Sequence, residues 1–470
     1  MKNNNTILFL FLLTLAAMPA TAQHQHHQPA PQDTTTNQHH QPAPQDTTGH
    51  MKHQMMGQDM PMQHEGMEMG MSHAFSRSLP MSRNGSGTGW LPDASPMYGN
   101  MYHRRDWMFM LHYNLFLRYT NQDVFESGHR GDSQFDAPNW FMLMGQRKVG
   151  AKGLFHFSSM LSLDPLTVGG NGYPLLFQTG ETYEGVPLID RQHPHDLFSE
   201  LSVAYTQMLS PDADVFVYLG YPGEPALSNV AFMHRPSALN NPDSPLGHHW
   251  QDATHITFGV ATLGVRYRNL KLEGSSFTGR EPDEDRYDFD KPRFDSRAVR
   301  LTYNPAASWS LQASHAYVKS PEPLEPEEDV YRTTASVLYS SRLAGENRFL
   351  TTTANWGYNF VDQHHKEHSI LLESTLQNDK FAVYGRYEWV QKSAAELGLQ
   401  EPLFGHDATF NINALTVGAN RQVAQLGRLN MQAGAQVSLF GPPDALHPLY
   451  GKLPVSAEVY LRFFPGLMMP

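Results

Sequence analysis

The sequence predicts an all-β protein: a transmembrane antiparallel β-barrel of the outer-membrane type, with about 16 strands, preceded by a disordered arm. Three observations carry this expectation. From residue 107 onward, apolar and polar residues alternate with period two over segments of 9–13 residues. That is longer than an ordinary soluble strand and suits one that crosses a bilayer at a tilt. The connections alternate between short and long, and the segment count is even, which returns both chain ends to one side of a membrane.

Taken in chain order, the first element is an export signal. Lys2 supplies a positive start, Ile7 to Ala17 form an apolar run, and Ala20-Thr21-Ala22 offers a small-x-small cleavage site. Residues 1–22 are therefore expected to be removed, and the run is too short for a membrane helix. The chain contains no cysteine. That excludes disulfides, thiolate metal sites and a lipid-anchored cysteine.

Residues 23–100 read as the arm. They are rich in Gln, His, Pro, Thr, Met and Gly, and the string QHHQPAPQDTT occurs at Gln25–Thr35 and again at Gln38–Thr48. Such a composition buries too little apolar surface to offset the entropy of ordering. Between His50 and His73 the arm concentrates eight methionines and four histidines. Thioether and imidazole without thiol form a ligand set for copper(I) and silver(I), with imidazole also serving copper(II). The candidate ligands are Met51, His53, Met55, Met56, Met60, Met62, His64, Met67, Met69, Met71 and His73. Their spacing of one to five residues lets a flexible chain wrap several sulfurs around one ion. Sites built on arm histidines should weaken as imidazole protonates near pH 6–6.5.

Residues 101–470 read as the barrel. Strands are expected near 107–119, 138–147, 153–163, 198–209, 213–221, 254–267, 268–279, 296–304, 307–318, 331–341, 347–359, 367–377, 380–391, 408–420, 428–439 and 455–464. Trp107, Tyr119, Tyr267, Tyr303, Trp309, Trp356 and Trp389 stand near strand ends, where interfacial girdles form. No plug domain is recognised ahead of the first strand.

On the polar face of the first three strands the sequence places Met108, Met110 and His112, then Met142 and Met144, then His156 and Met160. Consecutive strands would bring these side chains to one stretch of lumen wall, as a soft-ion track or as filler of irregular space. Two long loops hold further histidines. His193 and His195 form an H-x-H pair next to Asp196, while His248 and His249 form an H-H-x-x-D motif with Asp252 that runs on to His255. Together they supply enough donors for a transition metal, or enough polar groups to pin the loops as a constriction.

This organisation resembles outer-membrane barrels of the copper-resistance B type, whose members carry a Met/His-rich N-terminal segment ahead of a barrel. The resemblance rests on the signal, the Met55–His73 tract and the strands to the C-terminus. It implies copper tolerance in the bacterial outer membrane, with the arm in the periplasm. The ion is expected to be copper, with silver the chemical alternative; the other partners are outer-membrane lipid and periplasmic metal carriers, and self-association into an oligomer is allowed.

The net charge of −12 argues against nucleic acid as a partner. The charge is locally concentrated: Glu281–Asp295 carries seven acids and Glu322–Asp329 five. Such runs are usually solvated loops that can also attract cations. The alternative function is a general or solute-selective porin with a peripheral arm. An enzymatic role is not expected, because G-x-S-x-G, P-loop and H-E-x-x-H motifs are missing; a hydrolase with a motif-free pair at the rim is the minor alternative.

Overall fold

The computed structural model describes residues 72–468 apart from 346, 363–364, 400–403 and 405–407. The tract from Met51 to Met71 lies outside the described residues. Within them the chain forms β1 (Asn100–Arg104), β2 (Trp107–Gln122), β3 (Asp132–Asp136), β4 (Asn139–Val149) and β5 (Gly153–Leu161). A hairpin of β6 (Tyr173–Tyr183) and β7 (Val186–Gln192) precedes β8 (Phe198–Ser210) and β9 (Ala213–Gly220). Then follow β10 (Val260–Tyr267), β11 (Leu270–Phe277), β12 (Ser296–Tyr303), β13 (Trp309–Lys319), β14 (Asp329–Arg342) and β15 (Phe349–Val361). The last are β16 (His365–Gln377), β17 (Phe381–Ser393), β18 (Thr409–Leu426), β19 (Leu429–Gly441) and β20 (Val455–Pro465).

One antiparallel sheet of 18 strands closes on itself, because β2 pairs with β20 from Leu115↔Phe463 to Asn121↔Ala457. β3 and β4 are one stave interrupted at Ala137-Pro138, and both pair with β2. Proline has no N–H to donate, so the ladder breaks there. β1 only flanks the start of β2. The wall is therefore a closed barrel of sixteen staves, each coinciding with one of the expected segments. One start differs. The stave expected from residue 254 begins at Val260, because His248–Gln251 and Ala253–His255 coil into short helical turns first.

Period two decides which side each residue faces. On β10, Thr262 and Arg266 are buried inward, whereas Leu263 and Val265 are 57% and 48% exposed. Leu219, Leu272, Leu301, Val383, Val417 and Val459 are exposed in the same way. An apolar belt of this extent is an aggregation liability in water and the matching surface in a bilayer. Tyr119, Tyr267, Tyr303 and Trp309 are also exposed, on the outer face.

The lumen is filled. The connection from Tyr221 to Gly259 is almost wholly buried within the barrel. It is tied to the wall by ion pairs: Arg235 to Glu373 of β16 at 2.8 Å, and Asp243 to Arg118 of β2 at 2.6 Å. Arg118 also pairs with Asp136 of β3 at 2.7 Å. Burying charge is expensive unless each charge meets its counterpart, and this packing arranges that.

The expected division near residue 100 needs correction. Ser72–Gly99 belongs to the packed structure rather than to an arm. Ala74, Phe75, Met81, Trp90 and Leu91 are buried, Ser76 donates to Asp214 of β9 at 2.6 Å, and Arg83 pairs with Asp93 at 2.5 Å. Asn304 donates to the Leu91 carbonyl at 2.9 Å, and the Thr88 carbonyl accepts from Lys271 of β11. Low apolar content misled the reading here, because the stretch exchanges polar contacts with a polar lumen wall instead of forming its own core. His73 accordingly leaves the expected arm. It is buried between Phe75 and Trp90, and its Nδ1 accepts from the Phe75 N–H at 3.0 Å.

Arg235 is fully buried between Glu373 and Asp252, so its loss would leave Glu373 with Arg386 alone and Asp252 with His248 alone, a cost of about 3–5 kcal/mol. Arg235→Ala should loosen the 221–259 segment and raise single-channel conductance of the purified barrel in planar bilayers above a low wild-type level. Equal conductance in both proteins would show that this segment does not obstruct the lumen.

Candidate functional site

Five histidines from two long loops converge inside the barrel. His193 and His195 follow β7, His248 and His249 open one helical turn, and His255 closes the next. Ring centroids lie 6.1 Å apart for His193–His248, 5.7 Å for His193–His249, 5.1 Å for His248–His255 and 5.6 Å for His195–His255. All five are buried.

Their orientation is set from behind. His248 Nδ1 meets Asp252 Oδ1 at 2.6 Å, and His195 Nδ1 meets Asp164 Oδ2 at 2.8 Å. His255 Nδ1 lies 2.7 Å from the Asp252 carbonyl oxygen, and His193 Nδ1 lies 3.1 Å from Glu181 Oε1. An Nδ1–H donating to oxygen leaves the Nε2 lone pair facing forward. The Nε2 atoms of His193, His195, His248, His249 and His255 are buried without a hydrogen-bond partner. An unpaired buried polar atom costs about 1–3 kcal/mol, so such atoms seldom gather in one place without a ligand to share. Ligand atoms of His193, His248 and His249 lie within 4.8 Å of one another.

Local sequence explains the arrangement. Asp252 accepts from His248, from Arg235 at 2.9 Å and from the Phe232 N–H at 2.9 Å, which binds both helical turns to the wall-anchoring arginine. The β6–β7 hairpin reaches His249 through Gly180. Its φ is +110°, and a Cβ there would stand 2.3 Å from the imidazole, so only glycine fits.

Burial favours the neutral imidazole at His193, His234, His248 and His255. Burial pushes His193 well below its ordinary range, helped by Arg286 and the neighbouring histidines. Burial also lowers His248, against the pull of Asp252, and takes His255 and His234 down to about 3. Burial alone would raise Asp252, but His248 and Arg235 hold its carboxyl well below the usual range. Neutral imidazole is the form that binds metal.

On its other side His249 faces Glu281 Oε1 at 3.4 Å and Glu322 Oε1 at 3.8 Å. These lie beside a cavity of about 170 Å³ that Glu181, Glu322, Glu367 and Glu396 also line. Glu281 and Glu322 head the two acidic runs noted in the sequence. Burial would raise Glu281, but His249 holds it low; burial, Glu281 and Glu181 push Glu322 well above its ordinary range.

The methionines of the first staves also meet, in the lumen half nearer the short turns. Met110 pairs across the sheet with Met144, His112 with Met142, and Met142 with Met160. Met108, Met110, Met142, Met144 and Met160 join Met81, Met233 and Trp140 in one buried cluster. His112 packs on Trp140 at 4.6 Å and faces His234 at 5.8 Å. His156 departs from the expected track: it is buried against Phe75 at 5.6 Å, pairing across the sheet with Gln146.

Several site residues escaped the sequence reading. Asp164 and Glu181 carry no local motif and act only through tertiary contact. Met81 and Met97 fell inside the supposed arm. His234 stands in a Met233-His234-Arg235 triplet of the second long loop, the one available signal.

Among solved structures this chain is similar to Salmonella typhi OmpF in complex with daunomycin, at 10% identity over 78% of this chain and 100% of that one, with TM-score 0.48. It is similar to an anion-selective porin from Comamonas acidovorans at 10% identity over 76% and 99%, with TM-score 0.44. Pseudomonas aeruginosa OpdQ aligns at 6% identity over 77% and 98%, with TM-score 0.37. No family model and no curated protein matches the chain.

Trp250 sits 1% exposed beside His249, its Nε1–H donating to Glu367 at 3.1 Å. Because folding depresses His193, His248 and His255 below their unfolded value near 6.5, their contribution is whole above that pH and declines as pH falls towards the folded values. Between pH 6.5 and 4 the Trp250 emission should shift to the red, a component missing from Trp250→Phe. Identical titrations of the two proteins would show that these imidazoles do not control the packing of the turn.

Proposed function

We propose that this porin-like outer-membrane barrel binds a transition-metal ion of the copper class in its lumen. The observation that carries the reading is the convergence of His193, His195, His248, His249 and His255 with unpartnered ring nitrogens, four of them backed by oxygen at Nδ1. Imidazole with a carboxylate behind it is a common way of fixing a metal ligand, and it raises ligand basicity. Imidazole donors suit copper(II), zinc and nickel; the thioethers of the lumen and of the Met51–Met71 tract favour copper among these. In this reading the arm lies in the periplasm and captures the ion, and the barrel holds or passes it, so that the cell tolerates the metal.

A second reading is a solute-selective porin. The sixteen-stave wall with a long loop folded inward supports it, since loops of that kind narrow water-filled barrels. Ordinary ion flow through the purified wild-type barrel, unchanged by copper, would favour this reading.

Equilibrium dialysis of the full chain in detergent at pH 5.5 separates the lumen site from the arm. At that pH free imidazole is largely protonated, whereas burial keeps His255 neutral. Wild type should retain copper(II) there, and His193→Ala combined with His248→Ala should lose one ion per chain. Equal copper content in wild type and variant at pH 5.5 overturns the reading.

A further inference from the structure

We propose that the methionine chamber in the short-turn half of the lumen is a second metal site, distinct from the histidine cluster, which takes a monovalent soft cation, Cu(I) or Ag(I), on thioether sulfur. It uses residues other than the five histidines and fails separately from them.

The chamber is a cavity of about 50 Å³, against roughly 30 Å³ for a water molecule in the liquid, so it has room for a bare ion. Three separate parts of the chain build it. The wall gives Met110, Met142 and Met144, the segment ahead of β1 gives Met81 and Met97, and the in-folded connection gives His234. Convergence from three distant stretches makes this a tertiary site.

Its chemistry differs from that of the surrounding lumen. Elsewhere the wall turns Arg118, Glu273, Arg300, Glu373 and Gln436 inward. Here the filling is sulfur, although Leu or Phe would occupy the same space with better-defined rotamers. Among the described residues, no carboxylate lines the chamber. A divalent ion would find no charge compensation there, whereas a monovalent ion loses less on leaving water and gains soft, neutral donors that need no deprotonation. His112 and His234 close one side, and their rings lie 5.8 Å apart. Phe232, which packs in the methionine cluster, also meets His248 at 5.4 Å and His255 at 6.2 Å between ring centroids, which places the chamber next to the histidine cluster.

The segment ahead of β1 is fixed to the same wall. The described chain begins at Ser72, whose carbonyl accepts from Gln146 at 3.2 Å. Gln146 stands on β4 two residues beyond Met144, so Ser72 is held to the wall beside this chamber.

Native mass spectrometry of the full chain in detergent, titrated with Ag(I) alone, tests the proposal. The arm contributes equally to every variant, so the difference reads the chamber. Met110→Leu with Met144→Leu should hold one Ag(I) fewer per chain than wild type. Met81→Leu with Met97→Leu, which leaves the wall untouched, should lose the same ion, and heat-shifted gel migration confirms that each barrel is folded. His193→Ala with His248→Ala should keep the wild-type silver count. Undiminished silver in either folded methionine pair overturns the site. Equal silver loss in the histidine pair would merge it with the first site and overturn its separateness.

Discussion

The histidine site inside this barrel rests on one charge arrangement, the buried triad of Glu373, Arg235 and Asp252. Arg235 joins the wall, through Glu373, to the in-folded connection, through Asp252. Asp252 in turn holds His248 by its side chain and His255 by its backbone carbonyl. The interaction that seats the loop in the lumen therefore also aims two of the imidazoles. A charge buried this deeply stabilises only when fully paired, and the pairing is so specific that the loop has one way to lie. Fold and site share this fixing point, while Arg118 and Asp243 hold the same connection elsewhere on the wall.

The wall was legible in the sequence because period two has an unambiguous physical origin. Residues such as Leu263 and Val265 face lipid, Thr262 and Arg266 face inward, and a shift by one residue would reverse both. That alternation located all sixteen staves, and it placed Met110, Met142 and Met144 on the inner surface. It could not locate what fills the barrel. Plugging segments in a polar lumen need little apolar content, so Ser72–Gly99 and Tyr221–Gly259 carry the composition of loops while being packed like a core. The H-x-H and H-H-x-x-D motifs nevertheless pointed to residues that meet, because closely spaced histidines in separate long loops at one rim have few places to go. Their supports, Asp164 and Glu181, were invisible. A second carboxylate that orients an imidazole has no sequence spacing to obey, only a distance.

The fixed, deprotonated imidazoles also explain why the site occupies a filled lumen instead of an exposed loop. In water a histidine cluster titrates near neutrality and repels itself once charged. Burial removes that loss, as the depressed values of His193, His248 and His255 show. The cost is a set of lone pairs with no partner, a state that a metal ion relieves directly. Glu281, which His249 holds low, keeps negative charge beside the cluster.

The donors thus change in order along the lumen. Carboxylates cluster around His249, imidazoles follow, and thioethers with His112 and His234 lie towards the short turns. Each step exchanges a harder donor for a softer one and lowers the negative charge available to the ion. An ion that keeps one preferred donor type, as magnesium or calcium does with oxygen, meets a rising barrier along this path. Copper is bound well by imidazole in its divalent form and by thioether in its monovalent form, so it finds a favourable partner at more than one stage. The sequence of donors, more than the affinity of any one group, is what would let such a barrel distinguish copper from commoner cations.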